Sequence, residues 1–323
     1  MTLTVSVALG TYNGARFIET QVRSILNQTL LPDEIVLSDD GSTDDTVEIV
    51  SRLLAENVSL GISLVLVGTR ERLGVARNFE RALRACSGDL IALCDQDDRW
   101  HENRLSAAVP FFEQDTELLV QNANARLVGP TGVPLGVSLF EGLSVANSER
   151  ELVAGGRAFE VYIKRNIVTG ATVLLRKSVV ELSTPFPAGW VHDEWIAMNA
   201  ASHGGVIMLD EQLIDYRQHG SNEIGVARPT LRYRIGRMLQ ARGTRYLDLA
   251  ERSRTLADRM AAIDSPYLRL AEEKAQFEEK RAAYPARRLP RIPAICRSAR
   301  DGSYRRLSSQ GDFDIIRDLI QPA

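Results

Sequence analysis

Asp95 and Asp97 stand two apart in Cys94-Asp95-Gln96-Asp97-Asp98-Arg99-Trp100. Once the chain leaves strict strand geometry, carboxylates at this spacing can present their oxygens to one cavity. Mg2+ or Mn2+ prefers one or two protein carboxylates, with phosphate oxygens completing its octahedron. A second acidic cluster, Ser38-Asp39-Asp40-Gly41-Ser42, lies upstream. Like charges gathered in one place repel, so a cation or ligand hydrogen bonds must compensate. A hard divalent ion bound with a nucleotide would supply both.

Three further stretches carry candidate side chains. Gly10-Thr11-Tyr12-Asn13-Gly14 ends the first apolar run. There Tyr12 can pack on a base, Asn13-Gly14 supplies a turn, and Thr11 stands beside them. A carboxylate of Asp39-Asp40 accepting the imide N–H of a pyrimidine would complete a nucleotide site. Read alone, Asp40-Gly41-Ser42 is an ordinary turn plus helix cap. In His192-Asp193-Glu194-Trp195, Asp193 opens a helix and reads either as a general base or as a cap. Tyr216-Arg217-Gln218-His219-Gly220-Ser221-Asn222 closes a short strand. His219 suits a metal ligand, a phosphate contact or a structural role, and Arg217 suits a diphosphate or a surface salt bridge.

The elements that position these residues follow from pattern. Glu34-Ile35-Val36-Leu37 precedes the first cluster and Leu90-Ile91-Ala92-Leu93 the second. Short apolar runs bounded by turn residues read as buried parallel strands, and open α/β sheets bind ligands beyond the carboxyl ends of their strands. Strands are expected over Thr4 to Leu9, Glu34 to Ser38, Gly61 to Val67 and Asp89 to Cys94. Helices are expected over Ala15 to Asn27, Ser42 to Glu56, Gly74 to Cys86 and Glu102 to Gln114. Phe17, Val22, Ile25 and Leu26 share one face of the first helix. The start at Ser42 can offer backbone N–H groups to a phosphate or carboxylate. Residues 129–156 have no clear period. Strands are expected again over Thr172 to Leu175, Val206 to Leu209 and Leu213 to Arg217, with a helix over His192 to Ala201. Beyond Pro229 the pattern is helical and charged, broken at Pro285, Pro290 and Pro293.

The 323 residues are 44% hydrophobic, enough for one large domain and an appendage. The formal charge of −3 is unevenly spread: from Val226 onward 21 Lys/Arg face 12 Asp/Glu, so this tail carries +9 and the rest −12. Such a tail suits an anionic membrane surface, an acidic partner or a solvated arginine-rich face. Cys86, Cys94 and Cys296 are odd in number and scattered, which argues against a disulfide framework and suits a reducing compartment. No stretch approaches the roughly 20 apolar residues of a membrane span, and the first seven residues read as a strand rather than a signal peptide. A cytoplasmic protein is expected, peripheral on the inner face of the plasma membrane if the tail binds lipid. No nucleic-acid partner is expected, and a homodimer is an open option.

Val7-Ala8-Leu9-Gly10-Thr11-Tyr12-Asn13, Ser38-Asp39-Asp40-Gly41-Ser42-Thr43-Asp44 and Cys94-Asp95-Gln96-Asp97-Asp98, in that order, resemble the family 2 inverting glycosyltransferases of GT-A fold. Thr169-Gly170-Ala171, the His192 motif and the Tyr216 motif are similar to the bacterial rhamnosyltransferase-like branch. The resemblance covers about residues 3 to 222. It implies a mainly parallel, Rossmann-like mixed sheet flanked by helices over 1–225; the pattern and charge of the tail add a helical, basic extension over 226–323. It also implies that Tyr12 and Asp40, with Asp39 nearby, hold the base of a nucleotide sugar. Asp95 would lie near ribose or sugar, Asp97 would bind Mg2+ or Mn2+, and Asp193 would act as base toward a glycan or lipid-linked acceptor. The family usually has an acidic pair at this last place; here His192 precedes Asp193. An arginine within Arg70–Asn78 would meet phosphate. The donor implied is dTDP-L-rhamnose, with a UDP-hexose, a non-catalytic scaffold and a nucleotidyltransferase as the alternatives.

Overall fold

The computed structural model describes residues 2–68, 72–219 and 241–322. Arg70, Glu71, Gly220, Ser221 and Asn222 lie outside the described residues. Those described fall into two units. One comprises 2–158, 167–186 and 190–219; the other comprises Phe159–Asn166, Pro187–Gly189 and 241–322.

In the first unit nine strands form one sheet: β1 (Val5–Thr11), β2 (Glu34–Asp39), β3 (Ser63–Gly68), β4 (Leu90–Asp95), β5 (Arg99–Trp100), β6 (Val120–Val128), β7 (Pro134–Ser138), β8 (Val173–Arg176) and β9 (Val206–Arg217). Their order is β3-β2-β1-β4-β8-β6-β9-β5, with β7 on β6. β1 to β4, β6 and β9 run one way, while β5, β7 and β8 run against their neighbours. This is the mixed, mainly parallel α/β sheet that the sequence leads one to expect. The register aligns Thr11 with Asp39 and Gly10 with Asp95. Three neighbouring strands therefore deliver a threonine and two aspartates to one edge.

Alternation along the strands explains the two covered faces. Val5, Val7, Leu9, Ile35, Leu37, Leu90 and Ala92 share a core cluster with Ile18, Val22, Ile25, Val50, Leu53, Leu105 and Phe112. These come from helices α1 (Ile18–Leu26), α2 (Thr46–Glu56) and α4 (Arg104–Gln114). The other face meets α3 (Val75–Ala85): a Cβ on Gly10 would lie 3.0 Å from Phe79 Cζ, and Ser38 Oγ donates to Asn78 Oδ1 at 2.7 Å. Short helices α5 to α8 (Leu139–Gly142, Asn147–Ala154, Ala158–Tyr162, Ser178–Ser183) lead to α9 (His192–Ala201).

Several expectations need correction. The stretch between α4 and the aperiodic segment carries β6, a central strand with no expected counterpart. β9 is one strand rather than two: Ala123 pairs with Leu209 and Asn124 with Gln212, so Asp210 and Glu211 form a bulge where the apolar pattern breaks. The first helix begins at Ile18, which frees Phe17 from its apolar face. The second begins at Thr46 rather than Ser42, because the residues between are held by side chains of the neighbouring loop.

β6 and β9 are joined by charge as well as by backbone. Asp215 lies opposite Arg126 and accepts from its Nε at 2.7 Å and Nη2 at 2.9 Å, while His101 Nε2 approaches at 3.0 Å. Burial alone would raise this carboxyl, but hydrogen bonds from His101 and Arg126 outweigh it and hold the group at about 2. The unfolded value is near 3.9, so the contribution is complete above about pH 4 and is lost as pH falls toward 2. Acid unfolding should show a loss of about 2 kcal/mol across that window. Asp215→Asn should flatten the pH dependence of the urea midpoint there.

The second unit contains α10 (Arg245–Ala262), α11 (Leu268–Ala282), α12 (Ile292–Arg300), α13 (Ser303–Leu307) and α14 (Asp312–Ile320). α11 ends before Pro285, and Pro293 sits in the first turn of α12, where a missing N–H costs no helical bond. Phe277, Ile295, Tyr304 and Leu307 form a small apolar core. Beside it, Asp318 is fully buried and accepts from Arg281 Nε at 2.8 Å and from Tyr246 Oη and Tyr304 Oη, each at 2.7 Å. Burial pushes this carboxyl up, yet the Arg281 charge and these hydrogen bonds prevail and keep it below the usual carboxylate range.

Candidate active site

The β1–α1 and β2–α2 loops are laced together by side chains. Asn13 has φ 48°; its N–H donates to Ser42 Oγ at 2.8 Å, and its Oδ1 accepts from Thr43 N at 2.8 Å. Gly14 N donates to Thr46 Oγ1 at 2.8 Å and Ala15 N to Asp44 Oδ2 at 3.1 Å. Asp39 accepts from Thr11 Oγ1 (2.8 Å), Ser42 Oγ (2.6 Å), Ser42 N (2.7 Å) and Gly41 N (3.1 Å). Those four donors fill the roughly four lone-pair positions of a carboxylate. The amides expected to wait for a phosphate are thus occupied within the protein. Asp40 is buried and accepts from Leu73 N at 2.7 Å and Gly74 N at 2.9 Å, one on each oxygen. Lone pairs remain on both of its oxygens.

Gln96 ties β4 to β1. Its Oε1 accepts from Tyr12 N at 2.9 Å, and its Nε2 donates to Tyr12 O at 3.1 Å, extending the ladder by one side-chain amide. A Cβ at Gly14 would fall 2.2 Å from Gln96 Oε1 and 2.6 Å from Cδ, so Gln96 must leave if position 14 gains a side chain. Gly14→Ala should therefore forfeit both bonds and cost about 1–3 kcal/mol in chemical denaturation. Gln96→Ala should cost about the same, and the double variant no more than either.

The second cluster gathers at the β4–β5 turn. His219 Nε2 lies 2.7 Å from Asp97 Oδ2, and both side chains are largely buried. Arg217 N donates to Asp98 Oδ1 at 2.8 Å, Arg217 Nε to Asp97 O at 2.7 Å and Nη1 to Pro130 O at 3.1 Å. Asp98 Oδ2 is buried with no hydrogen-bond partner. Burial, with Asp97 and Asp95 alongside, pushes the Asp98 carboxyl well above its usual range. Beneath lies Arg104, stacked 3.6 Å over Trp100 and donating to Leu93 O at 3.0 Å; burial pulls its guanidinium down to about 10.

Asp193 stands at the start of α9. Its Oδ2 accepts from Gly170 N at 2.9 Å and its Oδ1 from Glu194 N at 2.6 Å, two bonds that fix the orientation of the carboxylate. Gly170 is required here, because a Cβ would lie 2.8 Å from His192 Nε2. His192 is buried and stacked on Phe79, with centroids 4.1 Å apart, and burial lowers its imidazole to about 3. It is a neutral packing ring, which accounts for its place beside the aspartate. Burial raises the Tyr216 phenol, and the negative charges of Asp95, Asp98, Asp97 and Asp193 raise it further.

Two candidates escaped the sequence reading. Arg72, one of the arginines of the Arg70–Asn78 stretch, lies 4.1 Å over the Tyr12 ring. Phe17 stacks on His219 at 5.0 Å and receives Arg217 at 5.1 Å. Its position just before an amphipathic helix disguised it as a core residue. Among the described residues no three His, Cys, Asp or Glu side chains form a closed metal cage. An Asp97–His219 pair beside an orphaned carboxylate oxygen fits a cation that takes its remaining ligands from elsewhere.

Known proteins resemble this chain to different extents. An uncharacterized glycosyltransferase of Nostoc sp. is 26% identical over 227 residues, covering 68% of this chain and 66% of its own. An uncharacterized protein of Mycobacterium tuberculosis is 27% identical over 218 residues, 67% of this chain and 59% of its own. The chain thus spans less than two thirds of the length of these relatives. A putative teichuronic acid biosynthesis glycosyltransferase of Bacillus subtilis is 34% identical over 131 residues, 41% of this chain and 50% of its own. Among solved structures, S. aureus TarS 1-349 in complex with UDP-GlcNAc superposes with a TM-score of 0.58 at 17% identity, covering 84% of this chain and 70% of its own. The mannosyltransferase PcManGT from Pyrobaculum calidifontis, in complex with GDP-Man and Mn2+, does so with 0.52 at 22% identity, covering 99% and 87%. At such identities the two show the fold, that of GT-A glycosyltransferases. The model of glycosyl transferase family 2 matches residues 6–181, and with 176 of its 323 residues so matched the chain belongs to that family.

Proposed function

We propose that this protein is an inverting glycosyltransferase that moves a sugar from a nucleoside diphosphate to a hydroxyl of a bacterial surface-glycan acceptor. The observation that carries this reading is the strand register that sets Thr11, Asp39 and Asp95 at one carboxyl edge of the sheet, followed by Asp97 in contact with His219. Tyr12 and Asp40, with Thr11, Asn13 and Asp39 shaping their loops, take the base; Asp95 takes ribose or sugar. Asp97 and His219 would hold Mg2+ or Mn2+, which supplies charge neutralisation for the diphosphate leaving group. Arg217 is assigned to the donor site, where its bonds to Asp97 O and Pro130 O set the metal-side loop. Asp193 accepts the proton of the acceptor hydroxyl as that oxygen bonds to the anomeric carbon. The bond from that carbon to the diphosphate oxygen breaks, the diphosphate leaves, and the anomeric centre inverts. All of these residues precede residue 226, so transfer is assigned to 1–225.

The motif order shared with the rhamnosyltransferase-like branch makes dTDP-L-rhamnose the first donor to test, followed by UDP-hexoses. Incubation of a donor panel with Mn2+ or Mg2+ and lipid-linked acceptor should release nucleoside diphosphate with one donor only. Chelation should abolish turnover and re-addition of metal restore it. No turnover on any donor, together with no metal-dependent binding of UDP or dTDP in calorimetry, would instead identify a non-catalytic scaffold.

A further inference from the structure

The last helix of the second unit, α14, is built inside out. Asp314, Arg317 and Asp318 are its buried residues, whereas Phe313, Ile316 and Ile320, spaced i, i+3, i+7 along one face, are 69%, 47% and 36% exposed. The bonds from Arg281, Tyr246 and Tyr304 to Asp318 hold the charged face inward, so the apolar face cannot turn toward the core. α12 continues this surface. Its Ile295 shares a cluster with Ile315 and Leu319 of α14, and Arg291 Nη1 donates to Gln321 O at 2.9 Å. These contacts bring alongside the turn bearing Leu289 and Ile292, 78% and 39% exposed.

The charge on this surface is mostly that of arginine. From Arg281 to Arg300 the chain holds six arginines and no aspartate or glutamate. Arg287, Arg288, Arg297 and Arg300 are exposed. The exposed carboxylate of α14, Asp312, is held by Arg305 at 3.0 Å. Apolar side chains clustered in this way exceed what scattered surface residues explain. Bulky apolar groups with arginines and few free carboxylates match the face of a helix that lies in a lipid headgroup layer. Among the described residues no helix is long and apolar enough to cross a membrane.

We propose that this face of the second unit rests on an anionic phospholipid surface. Leu289, Ile292, Phe313, Ile316 and Ile320 enter the headgroup boundary, and Arg287, Arg288, Arg297 and Arg300 meet lipid phosphates. A second copy of the chain is a poorer occupant, because a self-complementary contact would set arginine against arginine. The binding needs no donor, metal or acceptor, so it stands apart from the transferase reading.

Flotation of the full chain with vesicles of phosphatidylcholine, with and without phosphatidylglycerol, tests it. The chain should float only with the anionic vesicles, and less at high salt. Phe313→Ser with Ile316→Ser should lower partitioning by about tenfold or more. Glutamine at Arg287, Arg288, Arg297 and Arg300 together should lower it by about a hundredfold. All six side chains are exposed, so melting temperatures should match the wild type. Flotation indifferent to vesicle charge, or wild-type partitioning by either variant, overturns the proposal. So does a wild-type dimer in sedimentation that Phe313→Ser with Ile316→Ser dissociates, with no vesicle binding. Loss of sugar transfer on every donor would leave this result untouched.

Discussion

Asp193→Asn is expected to lower kcat by about 10²–10⁴-fold while donor KM changes little, the range for loss of a positioned general base. The carboxylate is held by Gly170 N and Glu194 N. An asparagine has one oxygen, so it can accept from only one of these amides, and a modest fall in melting temperature should accompany the kinetic loss. The two effects separate cleanly, because an unfolded fraction lowers apparent enzyme concentration without altering single-turnover rates in the folded remainder. Glu194→Gln is the companion measurement: Glu194 is partly buried, and the variant should retain most of kcat. If the larger loss follows Glu194→Gln, the base lies one residue further along α9. Wild-type turnover in both variants would remove the single-displacement reading.

Asp318→Ala is expected to destabilise the second unit by about 3–5 kcal/mol, read from urea unfolding by circular dichroism. The substitution leaves the Arg281 guanidinium, itself buried, without its closest carboxylate, and Tyr246 and Tyr304 lose their acceptor. Glu278 keeps a bond to Arg281 at 3.1 Å and prevents complete isolation of the charge. Removing both charges, as in Arg281→Met with Asp318→Leu, should recover a large part of the loss, since a buried pair is costly to break and cheap to replace. Asp318 itself sits below the usual carboxylate range, so its contribution is present above about pH 4 and fades as pH falls below that.

The carboxyl edge of the sheet was legible because its strands announce themselves. Apolar runs ending in Asp39 and Asp95 read as parallel strands whose carboxyl ends carry charge. β6 hid for the opposite reason: Gln121, Asn122 and Asn124 are buried polar residues inside a central strand. Asn124 Oδ1 accepts from Phe140 N at 3.0 Å, a partner 16 residues away that no local pattern reveals. Side-chain bonding between loops also moved a boundary. Ser42 and Thr43 resemble a helix start, yet they serve the Asn13 turn, and α2 waits until Thr46. In the second unit, periodicity identified the helices but not which face turns inward. For α14, Arg281, Tyr246 and Tyr304 on other helices decide that, against the usual sorting by polarity.

Gly10, Phe79, His192 and Gly170 make a continuous pile: a sheet backbone, two flat rings 4.1 Å apart and the backbone that grips Asp193. Its height is set by aromatic thickness, so the gap between the carboxyl edge of the sheet and Asp193 is gauged by two stacked discs rather than by adjustable side chains. Exchanging either disc for a branched aliphatic would alter the gauge itself. The glycines at both ends show that the tolerance is already used up.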